Sequence, residues 1–289
     1  MKLATIHHPE GGILSVITPE GALPVDALNR KAGVKWPRLM LELINSGLLE
    51  EMSSWWKENG EGITEQARRD ILPPQRLRYL PPYRNPSKIW GIGLNYREHA
   101  SDLSEKVPDS IPGSFMKPST TIVGHGDPIV IPAQSEKTTA EGELGLIIGK
   151  TCKDVPREKW REVTAGFTGV IDMTAEDILR KNPRYLTLSK SFDTFFSFGP
   201  VVLTLDEIED VLALRVATCI NGGIHAENIV ANMAFTPDFL VSFHSSVMTL
   251  LPGDIISTGT PGAVAVKDGD IVECRIDNFE PLINPVKTE

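Results

Sequence analysis

Apolar positions recur at two different spacings in the first quarter of this 289-residue chain. Residues 3–28 alternate short apolar runs with glycine and proline turns, which predicts a small meander of strands. Residues 37–59 carry apolar positions at helical spacing, with a possible break at Gly47. Residues 63–72 have a pattern compatible with a further helix. Together these elements predict a small N-terminal α/β domain over residues 1–72.

A proline-rich segment follows this first region. Residues 73–86 contain five prolines, which a regular element does not accommodate, so we interpret the segment as the start of a second domain over residues 73–289. Short apolar runs bounded by turns dominate that domain, and Asn221-Gly222 is a strong hairpin signal. Helical stretches are interspersed without a regular strand–helix alternation. The predicted fold class is therefore α+β and rich in strands.

Two glutamates begin an apolar strand in this second region. Residues 138–150 read TTAEGELGLIIGK, so Glu141 and Glu143 lie two positions apart and share one face of the strand. Two carboxylates at the mouth of an apolar strand would repel each other and resist desolvation, unless a positive charge such as a divalent cation lies between them. Alternatively, the strand frays here and both acids are solvated.

Asp172 is a third acid, and it directly follows the apolar run 167–171. Taken alone, an acid in this position is more often a helix N-cap. Taken with Glu141 and Glu143, it would complete a set of oxygen ligands that selects a hard cation such as Mg²⁺ or Mn²⁺. Such a set leaves coordination positions for water and substrate, which indicates catalysis.

Five more side chains are candidates for chemistry. His99 and Asp102 lie three residues apart, so on a helix the carboxylate would orient the imidazole as a general base; the alternative is a surface histidine with an acidic neighbour. Lys190 and Lys117 are charges within apolar stretches, where a lysine either snorkels or holds an anion. Thr260 lies in a glycine-rich loop that either binds a carboxylate or is only a tight turn.

Composition narrows the class of partner. The net charge is −9 without a basic run, which argues against a nucleic-acid or anionic-membrane surface and favours a small-molecule partner. We find no membrane-length apolar run and no signal-peptide core, so we expect a cytoplasmic protein without a membrane partner. Cys152, Cys219 and Cys274 form no metal or disulfide pattern and read as small core residues. Motifs of serine hydrolases, zinc proteases and nucleotide-binding proteins are absent from the sequence.

An ordered set of segments resembles the fumarylacetoacetate hydrolase family from about Ile89 to Val286. The segments are GIGLNYREHASDL, SFMKPST, EGELGLIIGK, GVIDMTAED, LSKSFDTFFSFGP, CINGG, LLPGDIISTGTPG and DGDIVECRID. The resemblance implies a β-rich roll with a mixed α+β core, a homodimer, and Mg²⁺ or Mn²⁺ bound by an ExE pair and a later Asp. Those ligand positions match Glu141, Glu143 and Asp172.

The resemblance also implies roles for other residues. His99 and Asp102 fall where lid-bearing relatives place a histidine and an acid over the metal. Lys190 matches the family lysine of the K-S-F segment, and Thr260 matches the threonine that contacts the substrate carboxylate. Residues 1–72 resemble the variable N-terminal domain of the longer bacterial members.

The sequence departs from the family pattern around the metal ligands. Thr139-Ala140 replaces the usual Asp-Tyr, Glu176 replaces an Arg, and Ala226 stands where a Gln is common. Asp102 is one methylene shorter than the usual Glu. These changes leave the ligand set intact and leave the substrate open.

We therefore predict metal-dependent cleavage of a carbon-carbon bond in a 2-oxo acid, by acylpyruvate hydrolysis or oxaloacetate decarboxylation through a pyruvate enolate that the metal would stabilise. His99, oriented by Asp102, would activate water, Lys190 would stabilise anionic charge, and Lys117 and Thr260 would hold the substrate. The alternatives are an isomerase or tautomerase of unsaturated 2-oxo diacids, or a metal-binding family member without catalysis.

Overall fold

A computed structural model describes residues 1–9, 11–96 and 110–289. Its described α-helices are α1 (Val25–Ala32), α2 (Met40–Ser46), α3 (Leu49–Gln66), α4 (Glu176–Lys181), α5 (Leu186–Lys190) and α6 (Pro237–Val247). Short 3₁₀ turns lie at Arg68–Asp70, Pro74–Arg76, Ser119–Thr121, Arg157–Val163, Pro183–Tyr185, Leu205–Glu207, Val211–Ala213 and Val230–Asn232. Over the same described ranges, no helix is long and apolar enough to cross a membrane.

The strands form two sheets. The larger contains β1 (Lys2–His8), β2 (Gly11–Thr18), β3 (Gly21–Pro24), β4 (Tyr79–Leu80), β5 (Ile89–Gly93), β6 (Gly113–Met116), β7 (Ile122–Val123), β9 (Thr138–Ile148), β10 (Thr164–Ala175), β11 (Phe196–Thr204), β14 (Ile255–Ser257) and β15 (Ala263–Ala265). The smaller contains β8 (Ile129–Ile131), β12 (Arg215–Ile220), β13 (Gly223–Ile229), β16 (Ile271–Ile276) and β17 (Leu282–Thr288). The predicted α+β class, rich in strands, is confirmed.

Strands β9 and β10 occupy the middle of the larger sheet, whose main order is β3-β2-β1-β11-β10-β9-β14-β5-β6. Side chains alternate between the two faces of a strand. One face presents residues such as Leu144 and Met173 to the smaller sheet, in one apolar cluster. The other face presents Ile147 and Val170 to the helices α1–α3, in a second cluster. The central strands are thus covered on both sides.

The N-terminal pattern is largely as predicted. The meander of strands is confirmed as β1–β3, but its predicted end is wrong, because residues 25–28 belong to α1. The helical stretch divides at Gly47, whose φ of 74° ends α2 in the left-handed region. The predicted separate helix over residues 63–72 is wrong, because α3 continues to Gln66 and a 3₁₀ turn follows. The Asn221-Gly222 hairpin is confirmed between β12 and β13.

Two strand pairings involve the N-terminal region and the proline-rich segment. Strand β1 pairs with β11, some two hundred residues away in sequence, so β1–β3 extend the larger sheet. The expectation that residues 73–86 hold no regular element is wrong in one respect, because β4 lies there and pairs with β1. The division into domains 1–72 and 73–289 stays a prediction.

Candidate metal centre

The register of β9 and β10 brings the three predicted acids together. The strands are antiparallel, with Asp172 directly opposite Glu141 and Val170 opposite Glu143. Residues opposite each other project to the same side of a sheet, so all three carboxylates share one face. One oxygen from each lies within 4.8 Å of the others. This is the convergence that binding a single cation requires.

These acids lie inside their strands, and the prediction that they stand at strand ends is wrong. Strand β9 begins at Thr138 and β10 continues to Ala175. The alternative of frayed, solvated acids is also wrong, since Glu143 and Asp172 are each 1% exposed. The ladder continues past the acids because positively charged side chains neutralise part of their charge.

Two lysines meet those charges. The Lys190 Nζ lies 3.0 Å from Glu141 Oε2 and 2.6 Å from Asp172 Oδ2. The Lys117 Nζ lies 2.6 Å from Asp172 Oδ1 and donates to the Met173 carbonyl at 3.2 Å. Both lysines are buried, so the snorkelling alternative is wrong for each. Asp172 thus holds one ammonium on each of its oxygens.

Burial and charge move these groups in opposite directions. Burial opposes the ionisation of Asp172, but the charges of Lys117 and Lys190 and their hydrogen bonds keep its pKa below the ordinary value. Burial lowers the pKa of Lys117 to about 8, although Asp172 opposes that shift. Burial raises the pKa of Glu143 to about 8, and the negative charges of Asp172 and Glu141 add to the effect. The two lysines therefore stabilise the ionised form of Asp172, but they do not offset the effects that raise the pKa of Glu143.

Glu143 accepts hydrogen bonds instead from the last residue of β14 and from the loop that follows this strand. The Ser257 hydroxyl donates to Glu143 Oε2 at 2.6 Å, and the Gly259 N–H donates to the same oxygen at 2.8 Å. Gly259 has a φ of +94°, and a Cβ there would lie 2.7 Å from the Asn95 Cβ. Only glycine fits this turn without strain. The loop N–H predicted to hold a substrate carboxylate binds the protein's own carboxylate.

Thr260 lies in the same loop and is buried. Its Oγ1 is 3.2 Å from Thr218 Oγ1 and accepts the Gly262 N–H at 3.2 Å. Thr218 Oγ1 in turn accepts the N–H of Gly142, the residue between the two glutamates, at 2.9 Å. The structure therefore places Thr260 beside the glutamate strand, and its contact with substrate stays a prediction.

Sequence reasoning missed two supporting residues. The Thr174 hydroxyl donates to Glu141 Oε1 at 3.0 Å; because Thr174 lies two residues beyond Asp172, strand periodicity was a signal for it. Asn95 is the second of these residues. Its amide donates to the Phe235 and Thr258 carbonyls at 2.9 and 2.7 Å and accepts the Phe235 N–H at 2.8 Å. Nothing near Asn95 in sequence indicates these partners.

His99 and Asp102 lie outside the described residues. Their assignment as an oriented general base therefore stays a prediction.

The donor set fits a hard divalent cation. It offers three carboxylate oxygens, without nitrogen or sulfur, and such ligands suit Mg²⁺ and Mn²⁺ alike. With all three carboxylates ionised, three negative charges face two ammonium groups, which leaves an excess of negative charge; burial, with the charges of Asp172 and Glu141, raises the pKa of Glu143 and opposes that ionised state. A cation would neutralise that excess.

Comparison with known proteins agrees with this geometry. The family model described as "Fumarylacetoacetate (FAA) hydrolase C-terminal" matches residues 88–287. The chain belongs to the fumarylacetoacetate hydrolase family. The match includes all three acids, both lysines and Thr260.

Relatives within this family carry several activities in their names. A mitochondrial oxaloacetate tautomerase of Xenopus laevis is 34% identical over 275 residues, 86% of each chain. A maleylpyruvate hydrolase of Sphingobium sp. SYK-6, solved in complex with manganese (II) and pyruvate, has a TM-score of 0.78 and 30% identity, covering 100% of this chain and 99% of that one. A 5-carboxymethyl-2-hydroxymuconate delta-isomerase of Mycobacterium smegmatis has a TM-score of 0.77 and 29% identity, covering 100% and 99%.

Proposed function

We propose that this family member binds Mg²⁺ or Mn²⁺ at Glu141, Glu143 and Asp172 and catalyses the keto–enol tautomerisation of a 2-oxo diacid such as oxaloacetate. The observation that carries the proposal is the convergence of three carboxylates within 4.8 Å on one sheet face. The frog oxaloacetate tautomerase supports the substrate class, since the similarity extends over 86% of both chains.

An active site that catalyses tautomerisation has to stabilise negative charge on the substrate and to allow transfer of a proton. When bound, the cation would act as a Lewis acid toward the 2-oxo group. The chain's own part is to fix the three carboxylates and to place two ammonium groups, Lys117 and Lys190, where negative charge develops on the substrate. Both ammonium groups are held by Asp172 before substrate arrives, so little reorganisation is needed. Thr260 would position a substrate carboxylate.

The decisive experiment follows oxaloacetate by proton NMR in D₂O with Mg²⁺ or Mn²⁺. A tautomerase accelerates both the loss of the enol and the exchange of the C3 protons, without release of pyruvate above the metal-only rate. Addition of EDTA should return both rates to background. If the metal-loaded protein leaves both rates at background, tautomerisation of oxaloacetate is excluded.

A second candidate is carbon-carbon bond cleavage, either acylpyruvate-type hydrolysis or oxaloacetate decarboxylation. The maleylpyruvate hydrolase solved with manganese (II) and pyruvate favours it, because 30% identity extends over the whole of this chain. Hydrolysis needs an activated water, and His99 oriented by Asp102 would supply the base. Since general base catalysis contributes about 10²- to 10⁴-fold, His99→Ala should slow hydrolysis by that factor and leave metal binding nearly unchanged.

Pyruvate release separates the candidates. A coupled assay with acetylpyruvate, maleylpyruvate and oxaloacetate should detect pyruvate only if bonds are cleaved. Proton exchange without pyruvate supports tautomerisation, and pyruvate formation supports cleavage. Metal binding with neither reaction would identify a non-catalytic family member.

Assembly and location complete the proposal. We propose a homodimer, as the family resemblance implies, in the cytoplasm. Light scattering on the purified protein tests the first, and fractionation of cells tests the second.

A further inference from the structure

The ammonium of Lys190 is enclosed from more than one direction. Two of its three N–H donors face Glu141 Oε2 and Asp172 Oδ2, at 3.0 and 2.6 Å. A different kind of group lies over the same nitrogen, because the ring centroid of Phe115 is 4.7 Å from Nζ. A cation within about 6 Å of an aromatic centroid is attracted by the negative face of the ring.

The ring of Phe115 lies closer to Lys190 than the ring of Phe195 lies to the second site lysine. The other site lysine, Lys117, lies 6.0 Å from the centroid of Phe195, at the limit of the interaction. Phe115 is 9% exposed and Lys190 is 5% exposed. Cation–π attraction increases when both partners are removed from water. The contact of Phe115 with Lys190 should therefore be stronger than one at an exposed site.

The neighbouring strand makes room for the ring. Phe115 on β6 is paired with Gly91 on β5. A Cβ at position 91 would lie 2.2 Å from Phe115 Cζ and 2.3 Å from Cε2. The ring therefore lies flat against the glycine backbone, and any side chain at position 91 would displace it. The position of the Phe115 ring therefore depends on glycine at position 91.

We propose that Phe115 is a positioning residue, whose ring face holds the Lys190 ammonium between Glu141 and Asp172 in the orientation that the reaction uses. The inference rests on the proposed function for its kinetic consequence. Lysine carries four rotatable side-chain bonds, so hydrogen bonds to two carboxylates on one side leave its approach direction loosely fixed. The ring adds a third contact to the same nitrogen without competing for an N–H.

Graded fluorination tests this contact without changing the shape of the ring much. Replacing Phe115 by 4-fluoro-, 3,5-difluoro- and 3,4,5-trifluorophenylalanine progressively removes the negative charge from the ring face. We expect log(kcat/KM) for the metal-loaded enzyme to fall stepwise with each fluorine, by about 3- to 30-fold in total. The same series at Phe198, a buried ring packed against Tyr83 and Phe196, is the matched control and should change kcat/KM by less than about twofold.

A second readout does not depend on turnover. Protons of the Lys190 ε-methylene should be shielded by the ring current of Phe115 in ¹³C-lysine-labelled protein, with the resonance assigned by its loss in Lys190→Met. Phe115→Leu should remove the shielding, and Gly91→Ala should reduce it because the ring must move.

The outcomes are distinct. A stepwise loss at position 115 with none at 198, together with the shielding, supports the proposal. A flat series at position 115 in an enzyme with wild-type turnover overturns it and leaves the proposed function standing. If the wild type turns over no 2-oxo acid, the proposed function fails, and the shielding alone decides: its presence supports the contact and its absence overturns it.

Discussion

The two ends of the β9–β10 pair share one sheet face but differ in chemistry. At one end Ile147 is buried in the apolar cluster that includes the N-terminal helices. At the other end Glu141, Glu143 and Asp172 bring their oxygens within 4.8 Å. Both ends belong to one antiparallel ladder, whose register shifts only between Thr164 and Gly166, so the side chains are the main difference between the two ends.

This difference separates stability from chemistry. Burial of uncharged side chains at the apolar end removes hydrocarbon from water, which stabilises the ladder. The polar end crowds like charges in a buried place, and the pKa of Glu143, raised to about 8, records that cost in the absence of metal. The apolar end therefore provides a rigid frame on which the polar end can hold an unfavourable arrangement.

Asp172→Asn should have the largest effect on the polar end. It leaves the ammonium groups of Lys117 and Lys190 without their shared carboxylate, and removing one partner of a buried ion pair costs about 3–5 kcal/mol. Loss of a proposed metal ligand should also lower turnover by about 10³-fold or more, given several kcal/mol of Lewis-acid stabilisation. Urea denaturation and oxaloacetate turnover measure the two effects.

The exposed acid Asp193 provides the control, because Asp193→Asn removes a charge in the segment that follows α5 without touching the site. Wild-type stability in Asp172→Asn would mean that the two ion pairs contribute nothing to the fold.

Ile147→Ala tests the apolar end. The residue is fully buried, and truncation of a buried isoleucine costs about 2–5 kcal/mol. Because the site geometry depends on the local carboxylates and lysines, Mn²⁺ affinity measured by electron paramagnetic resonance should stay within about twofold of wild type. A tenfold loss of Mn²⁺ affinity would show instead that the two ends are coupled and that the comparison fails.

Much of the site was predictable because strand periodicity is local. The spacing of Glu141 and Glu143 predicts their common face, and the apolar runs identify both strands. The pairing of Asp172 with Glu141 is a matter of register between segments about thirty residues apart, and sequence spacing does not determine it. The predicted strand ends are wrong because Lys117 and Lys190, which neutralise the acids, come from distant segments.

The features of the fold that the sequence did not predict are contacts between distant segments. The pattern of β1 predicts a strand, but its pairing with β11 across some two hundred residues does not follow from that pattern. The hydrogen bonds of Asn95 likewise join segments near residues 235 and 258. Local propensity identifies elements, whereas tertiary contacts decide which of them meet.

The polar end should give the metal-free protein an unusual pH dependence. Folding raises the pKa of Glu143 from 4.5 to about 8. Between those values the folded state binds more protons than the unfolded state, so the free energy of unfolding falls as pH rises from about 4.5 to about 8. Urea midpoints in EDTA should therefore decrease over this window in the wild type.

Glu143→Gln should flatten that decrease, because the amide does not titrate. Saturating Mg²⁺ should also flatten it in the wild type, since a bound cation keeps the carboxylate ionised and stabilises the folded state. An unchanged slope in Glu143→Gln would assign the pH dependence to another group.

The smallest effects should come from two threonines that lie directly opposite each other, Thr139 on β9 and Thr174 on β10. The Thr174 hydroxyl donates to Glu141 Oε1 at 3.0 Å, whereas the buried Thr139 hydroxyl has no hydrogen-bond partner among the described residues. Replacing a donor to a charged group by a methyl costs about 1.5–3 kcal/mol, and removing an unpartnered buried hydroxyl is neutral or stabilising by up to about 1 kcal/mol. Thr174→Val should therefore lower Mn²⁺ affinity or stability, and Thr139→Val should lower neither. Because the two substitutions remove the same atoms from facing positions, equal losses in both variants would mean that Thr139 also supports the carboxylates.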